Sequence, residues 1–299
     1  MKNCLFIISL MIFGLASCEK SDPDSNSGPD PINLDSLGLV HFFQIGDNII
    51  YDYSEISLYD SSTHILYFRE NHPEFNKLRQ PTFVLYAEGD TIYEGDIWPS
   101  YFSSLPSGAY IASAPFFYQN YALRIEYRQG SEPDRRNDPR IIKSLKERAL
   151  LHSGLQVVIT SLEIYGSQAR LSLAVTNMDN SALLILDPDK TGHKLFHYFT
   201  NGLYLRDLTN NNTIQSVLES QTPVPWNSWN KDWLTQLDRE KSKLFTLNYT
   251  FNQTVNPGNY LAFIEYPGLS SQVGLNELFQ SSGRIWLGSI TAVKNISVH

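Results

Sequence analysis

Short runs in which apolar and polar residues alternate fill the chain from Leu39 onward, and this alternation most limits what the chain can fold into. The runs are rich in Tyr, Phe, Ile, Leu and Thr, and turns that contain Gly or Asp separate many of them. Because successive side chains of a strand point to opposite faces of its sheet, a period of two predicts half-buried strands. Many short strands joined by tight turns favour a sandwich or a barrel over alternating strands and helices.

We therefore predict a mainly β fold in two units. In the first unit the predicted strands span residues 40–45, 48–53, 63–68, 82–87, 91–94, 110–113 and 121–128. In the second unit they span residues 155–165, 169–176, 182–186, 194–200, 203–207, 244–251, 260–266 and 285–293.

A short connecting helix is predicted between the two units. Asp138-Pro139 is typical of a helix start, with Asp as the N-cap and Pro at the first helical position. Ile141 and Leu145 then fall on one face, and Gly154 is a stop signal. The predicted domains are residues 39–135, the connecting helix 136–154 and residues 155–299.

The two units share a short motif. Pro106-Ser107-Gly108-Ala109-Tyr110 in the first unit is similar to Pro257-Gly258-Asn259-Tyr260 in the second. A Pro-Gly turn that leads into a strand headed by Tyr resembles the start of the penultimate strand in immunoglobulin-like and fibronectin-type sandwiches. The resemblance implies two tandem β-sandwich domains, and a tyrosine whose hydroxyl bonds back to a nearby backbone group.

The N-terminus predicts a secreted and lipidated protein. Lys2 precedes an apolar run that is too short to span a bilayer, and small residues follow it. The end of this segment, Leu15-Ala16-Ser17-Cys18, resembles the lipobox of bacterial lipoproteins. The resemblance implies a signal peptide over residues 1–17, acylation of Cys18 and attachment to a lipid membrane. An ordinary cleaved secretory signal is the alternative.

Residues 18–38 are Ser, Asp, Pro, Asn and Gly with few apolar side chains, which predicts a disordered tether. A lipidated Cys followed by a polar, acidic leader resembles lipoproteins of the Bacteroidota, which implies a place at the outer membrane and leaves its face open. With Cys4 removed and Cys18 acylated, neither cysteine of the chain is left for a disulfide or a thiol nucleophile.

Composition and motifs argue against several functions. The net charge of −8 does not favour nucleic-acid binding. The chain has no G-x-S-x-G, HExxH, P-loop or dinucleotide motif, so we predict a protein that is not an enzyme and holds no cofactor. A hydrolase that uses two carboxylates stays open, because such a site leaves no sequence motif.

Two patterns resemble parts of metal sites, but neither predicts one. Residues 187–192 resemble the start of a calcium loop, but Tyr198 occupies the position of the final bidentate Glu, and a hairpin turn is the alternative. His193 and His197 are four residues apart, which suits two metal ligands on a helix. The aromatic run 194–200 instead predicts a strand, on which the two side chains would lie about 13 Å apart.

Two aromatic clusters are the predicted ligand-binding residues. Trp226, Trp229 and Trp233 fall within eight residues. They predict either an aromatic platform for sugar rings or, with Leu237 at helical spacing and Asn227 or Ser228 as N-cap, one amphipathic helix buried against a sandwich edge. Phe117 and Tyr118 belong to the second cluster, before a strand, where at least one ring should be exposed.

The sequence therefore predicts a non-enzymatic binding or adhesion module at the cell envelope, with a glycan or an envelope protein as ligand. A structural subunit that resembles fimbrillin-like pilus proteins is the first alternative, and the carboxylate hydrolase is the second.

Overall fold

The alternating runs form strands that pair both with strands adjacent in the chain and with more distant ones. The computed structural model describes residues 40–73, 75, 82–99, 104, 106–112, 118–129, 133–270 and 272–299. The predicted signal peptide, tether, lipidation site Cys18 and aromatic residue Phe117 lie outside these residues. Residues 39–299 belong to a single contact unit. We call residues 40–152 the N-terminal half and residues 153–299 the C-terminal half.

The described part of the N-terminal half holds ten strands and one α-helix. The strands are β1 (His41–Ile45), β2 (Ile49–Asp52), β3 (Ile56–Asp60), β4 (Ile65–Phe68), β5 (Thr82–Ala87), β6 (Asp90–Trp98), β7 (Gly108–Ala112), β8 (Ala122–Arg124), β9 (Glu126–Arg128) and β10 (Leu151–His152), and the helix is α1 (Pro139–Glu147).

The described part of the C-terminal half holds eleven strands and three short α-helices. The strands are β11 (Leu155–Tyr165), β12 (Gln168–Asn177), β13 (Leu183–Leu186), β14 (Leu203–Asp207), β15 (Thr213–Val217), β16 (Leu234–Leu237), β17 (Ser242–Phe251), β18 (Gly258–Pro267), β19 (Phe279–Gln280), β20 (Gly283–Ile285) and β21 (Ser289–Val298). The helices are α2 (Pro188–Thr191), α3 (His193–Tyr198) and α4 (Leu275–Leu278). No helix among the described residues is long and apolar enough to cross a membrane.

The fold is mainly β, as predicted. In the N-terminal half a six-stranded sheet has the order β2-β1-β5-β6-β7-β9, and a four-stranded sheet has the order β10-β3-β4-β8. In the C-terminal half a seven-stranded sheet has the order β11-β12-β17-β15-β14-β18-β21, and a four-stranded sheet has the order β16-β13-β20-β19.

The seven-stranded sheet curls around its own core. Buried and exposed residues alternate along β12 and β17, so one face of each strand points inward. The outer strands β11 and β21 come close together, and Lys294 Nζ donates a hydrogen bond to the Thr160 carbonyl over 2.6 Å.

Two hydrophobic cores fill the molecule. The core of the N-terminal half joins strands of both its sheets with Ile141 and Leu145 of α1, so the helix packs on this half. The core of the C-terminal half also takes in side chains from the other half: Leu58, Ile65, Tyr67, Tyr121 and Ala122. The two halves therefore share buried surface.

Most predicted strands are confirmed, with shifts of a few residues at their ends. The strands over 155–165 and 203–207 have the predicted bounds. The helix start is also confirmed, because the Asp138 carboxylate accepts a hydrogen bond from Arg140 N over 2.9 Å and Pro139 is the first helical residue. Five strands were not predicted: β3, β10, β15, β16 and β19.

The tyrosine expected to bond back to the backbone does so in the C-terminal half. Tyr260 lies near the start of β18, is 3% exposed, and donates its hydroxyl hydrogen to the Asn256 carbonyl over 2.9 Å. The bond fixes the turn before the strand, because the turn and the strand are then joined by a side chain as well as by the backbone.

Candidate functional site

The segment that contains three tryptophans joins β15 to β16, and we call residues 223–233 the Trp segment. It is not the predicted helix. Ser228 Oγ donates to the Pro225 carbonyl over 2.7 Å, which closes a turn. A single 3-10 turn, Lys231–Trp233, then follows, and its cap is Asn230, whose side chain accepts a hydrogen bond from Asp232 N.

The helix prediction is wrong because tertiary pairing decides the end of this segment. Leu234 to Leu237 form β16, which pairs with β13 in the four-stranded sheet. The backbone groups that a helix would need are thus used by a neighbouring strand. Asn230, rather than Asn227 or Ser228, is the capping residue.

The three indoles have different surroundings. Trp226 is 59% exposed, whereas Trp229 and Trp233 are half-buried and pack against the core of the C-terminal half. The ring of Trp233 lies 6.3 Å from that of Phe199, and Tyr198 Oη donates to the Trp226 carbonyl over 3.3 Å. Two rings therefore fix the segment, and the third is free to meet a ligand.

A polar cavity of about 530 Å³ lies at the 3-10 turn of the Trp segment. Lys231 and Asp232 line it together with Lys190 of α2 and Gln236 of β16. Ser282 also lines it, and its buried hydroxyl has no hydrogen-bond partner among the described residues. The cavity thus combines two ammonium groups, a carboxylate, an amide and a hydroxyl, all of which can bond to a polar ligand.

The second predicted cluster has a packing role where the structure describes it. Tyr118 is half-buried and contacts the core of the C-terminal half. Burial raises the pKa of Tyr118, and the Arg124 guanidinium beside it acts in the opposite direction. Arg124 in turn donates to Ser289 Oγ over 3.1 Å. Tyr118 therefore lies where the two halves meet. It precedes β8 in the chain and is not part of the Trp segment.

In the segment that resembles a calcium loop, a lysine of this chain already pairs with the first carboxylate. Asp187 is fully buried, its carboxylate lies 2.5 Å from Lys243 Nζ, and it also accepts from Thr235 Oγ1 and from Asp189 N. Burial alone would raise the pKa of Asp187, but the Lys243 and Thr235 hydrogen bonds outweigh it and hold the pKa below its usual value. The carboxylate caps α2, so the segment is a helix start rather than the hairpin turn.

The strand expected to separate His193 and His197 is a helix. Gly192, with φ of 74°, ends α2 and leads directly into α3, and the two imidazole rings lie 6.2 Å apart. The aromatic residues that suggested a strand instead pack as one face of this helix on the core, through Phe196. Among the described residues, no group of three or more His, Cys, Asp or Glu could hold a metal ion.

A buried charged cluster joins the two halves, and no motif in the sequence indicates it. Arg284 is 3% exposed, and its Nη2 donates to Asp60 Oδ2 and to Asp179 Oδ2, each over 2.9 Å. His152 Nδ1 lies 2.8 Å from Asp179 Oδ1. These residues are spread over more than 200 positions of the chain, so no local pattern could show that they meet.

Burial and ion pairing shift the pKa values of Asp179 and Arg284 in opposite directions. Burial alone would raise the pKa of Asp179, but the hydrogen bond with His152 and the Arg284 charge hold it below its usual value. Burial alone would lower the pKa of Arg284, but the carboxylates, Asp60 first, raise it. Both carboxylates are already paired, so the cluster acts as a structural link between the halves.

Comparison with known proteins assigns no family to this geometry. No family model matches the chain, and a search of curated proteins finds no match.

Proposed function

We propose that the chain is a membrane-anchored bacterial lipoprotein whose folded part binds a glycan at the cell envelope without catalysis. The observation that carries this proposal is the exposed Trp226 indole on the Trp segment. An exposed ring held on a segment anchored by Trp229 and Trp233 is available to a partner with little ordering cost.

The neighbouring cavity supplies the second part of a sugar site. Indole faces are apolar and carry negative potential, which suits the C–H groups on one side of a sugar ring. Ligand sites combine such surfaces with a few placed polar groups. Lys231, Asp232 and Gln236 can bond to sugar hydroxyls from the cavity that adjoins the segment.

We also propose that the C-terminal half is an immunoglobulin-like sandwich, the second of two tandem β-sandwich domains. If the seven strands of its large sheet are lettered A to G in chain order, their spatial order is A-B-E-D-C-F-G. Sandwiches of this class place A, B, E and D in one sheet and C, F and G in the other, with a tyrosine corner near the start of F. Tyr260 on β18 occupies that position. The Trp segment then lies between D and E.

The first experiment compares polysaccharide and peptidoglycan pull-down by the purified chain and by Trp226→Ala. We expect Trp226→Ala to bind at least about 10-fold more weakly, since stacking on one ring is worth roughly 1.5 kcal/mol. Tyr165→Ala is the matched control, because Tyr165 is an aromatic residue that is 71% exposed on β11. Equal binding by wild type and Trp226→Ala would exclude the Trp segment, and capture of an envelope protein instead would favour an adhesion module.

The second experiment tests the anchor. Two or three acyl chains on Cys18 would hold the protein on a membrane, because each buried methylene contributes about 0.8 kcal/mol. We expect Cys18→Ala to move the protein from the membrane fraction to the soluble fraction, whereas Cys4→Ala should leave it membrane-bound. Retention of Cys18→Ala in washed membranes would contradict the lipoprotein proposal.

A further inference from the structure

A second cavity lies in the N-terminal half, beside β6 and β7. The two strands pair in parallel from Asp96–Tyr110 to Trp98–Ala112. Next to this pairing is a cavity of about 320 Å³ whose lining includes Glu94 and Gly108. Gly108 has φ of 84°, and the space next to its Cα is open. The motif that resembles the Tyr260 turn therefore borders a cavity here.

The cavity is lined by groups without complete hydrogen bonding. Tyr93, which is 9% exposed and belongs to the core of this half, forms part of the wall. The carboxylates of Glu94 and Asp96 are in no ion pair within the described part of the chain. Arg135 donates from Nη1 to the Ile92 carbonyl over 3.2 Å, and its guanidinium makes no other hydrogen bond within the described part of the chain.

We propose that this cavity binds one sugar unit of a neutral glycan, as a site separate from the Trp segment. A sugar hydroxyl both donates and accepts hydrogen bonds, so it can serve a carboxylate, which only accepts, and a guanidinium, which only donates. Tyr127 adds an aromatic ring to the wall of the cavity. The guanidinium carbon of Arg136 lies 5.6 Å from the centre of this ring. A volume near the lower end for ligand pockets suits a single ring.

The test is saturation-transfer NMR on the full chain with methyl glycosides of glucose, galactose, mannose and N-acetylglucosamine. Asp96→Asn removes an acceptor charge and keeps the shape of the side chain, so we expect at least 10-fold weaker binding. Glu163→Gln is the control, because Glu163 is an exposed carboxylate on β11. Trp226→Ala is measured alongside, as the variant that reports on the Trp segment.

The outcomes separate the two sites. Loss of methyl glycoside binding in Trp226→Ala but not in Asp96→Asn would overturn the second site and leave the Trp segment as the sugar site. If dialanine binds and the glycosides do not, the cavity recognises peptide termini and the proposal is wrong. The proposal is also wrong if no glycoside binds. If Asp96→Asn unfolds at a lower temperature than wild type, Glu94→Gln, on an exposed side chain of the same cavity, provides the second variant.

Discussion

Arg284 is a charged side chain in a buried position. It is buried against the Tyr67 ring at 5.6 Å, and Nε and Nη1 have no hydrogen-bond partner among the described residues. A buried charge is tolerated only where opposite charges meet it. Asp60 from the N-terminal half and Asp179 from the C-terminal half provide them, so one guanidinium holds carboxylates from both halves.

We predict that Arg284→Met lowers the free energy of unfolding by about 3–5 kcal/mol, because it leaves two buried carboxylates without their counter-charge. Urea denaturation of wild type and variant measures the difference. Arg239→Met is the control, since Arg239 is exposed beside Glu240, and it should change stability by less than about 0.5 kcal/mol. Adding Asp60→Asn and Asp179→Asn to Arg284→Met should recover part of the loss. A change below 1 kcal/mol in Arg284→Met would show that the cluster does not hold the halves.

His64 makes stability depend on pH. Burial, helped by the Arg136 charge, lowers the pKa of His64 to about 3, and its Nδ1 lies 2.8 Å from the Tyr59 hydroxyl. The folded state therefore keeps His64 neutral, while the unfolded chain takes up a proton below about pH 6.5. The resulting stability is complete above that pH and is lost progressively as the pH falls from 6.5 towards 3.

We predict that wild type loses about 2 kcal/mol more stability than His64→Asn between pH 7 and pH 5, at 1.36 kcal/mol per unit. Asn suits the site because His64 has φ of 56°, a conformation that Asn tolerates better than most residues. Urea titrations at half-unit steps measure the slope. The carboxylates whose pKa is lowered titrate below this range, so parallel curves for the two proteins would contradict the assignment to His64.

At the scale of elements, α1 formed as predicted because its start is encoded locally. Asp138 caps the first turn and pairs with Arg140 at 3.0 Å, and Pro139 fixes the first helical φ. We predict that Asp138→Ala lowers the free energy of unfolding by about 1 kcal/mol. Asp138→Asn keeps a capping oxygen and should lose less than half of that. Equal losses in thermal unfolding would assign the effect to the exposed ion pair instead.

Replacing a tryptophan of the Trp segment by alanine should change stability by different amounts at Trp233 and at Trp226. Trp233 packs against Phe199 and the core, so we predict that Trp233→Ala lowers the free energy of unfolding by about 1–3 kcal/mol. Trp226 is mainly exposed, and Trp226→Ala should stay within about 0.5 kcal/mol of wild type. Chemical denaturation of both variants measures the contrast. Comparable losses would mean that Trp226 is also held by packing and is not free to bind.

At the scale of the whole molecule, the two halves share contacts that two independent domains would lack. Tyr121 of the N-terminal half is fully buried and donates to the Val273 carbonyl over 2.9 Å. Trp286 Nε1 donates to Ser62 Oγ over 3.4 Å. Both partners in the C-terminal half lie between β18 and β21, in the insertion that carries α4, β19 and β20.

We predict that residues 39–299 unfold in a single transition, because separating the halves would expose buried apolar and charged groups at once. Hydrogen exchange followed by mass spectrometry measures this. The opening free energies of β1 and β5 in one half should equal those of β12 and β17 in the other. In Arg284→Met the two sets should diverge, and different values in wild type would show that the halves unfold separately.

From the sequence alone we can predict the strands whose alternation is regular, the capped start of α1 and the hydrogen bond from Tyr260 back to the backbone. Each of these depends on neighbours within a few residues, so composition and spacing carry the information. β3 was missed because four of its five residues are buried, which hides the period of two.

Packing between distant segments selects the strand that Leu234 to Leu237 join, makes residues 193–198 helical and brings Asp60 to Arg284. The pattern of apolar and polar residues within a segment indicates the conformation that the segment prefers and the face that it buries. It does not report which distant segment covers that face, because contacts between residues far apart in the chain form only when the whole core packs. The exposure of Trp226 beside half-buried Trp229 and Trp233 follows from that packing.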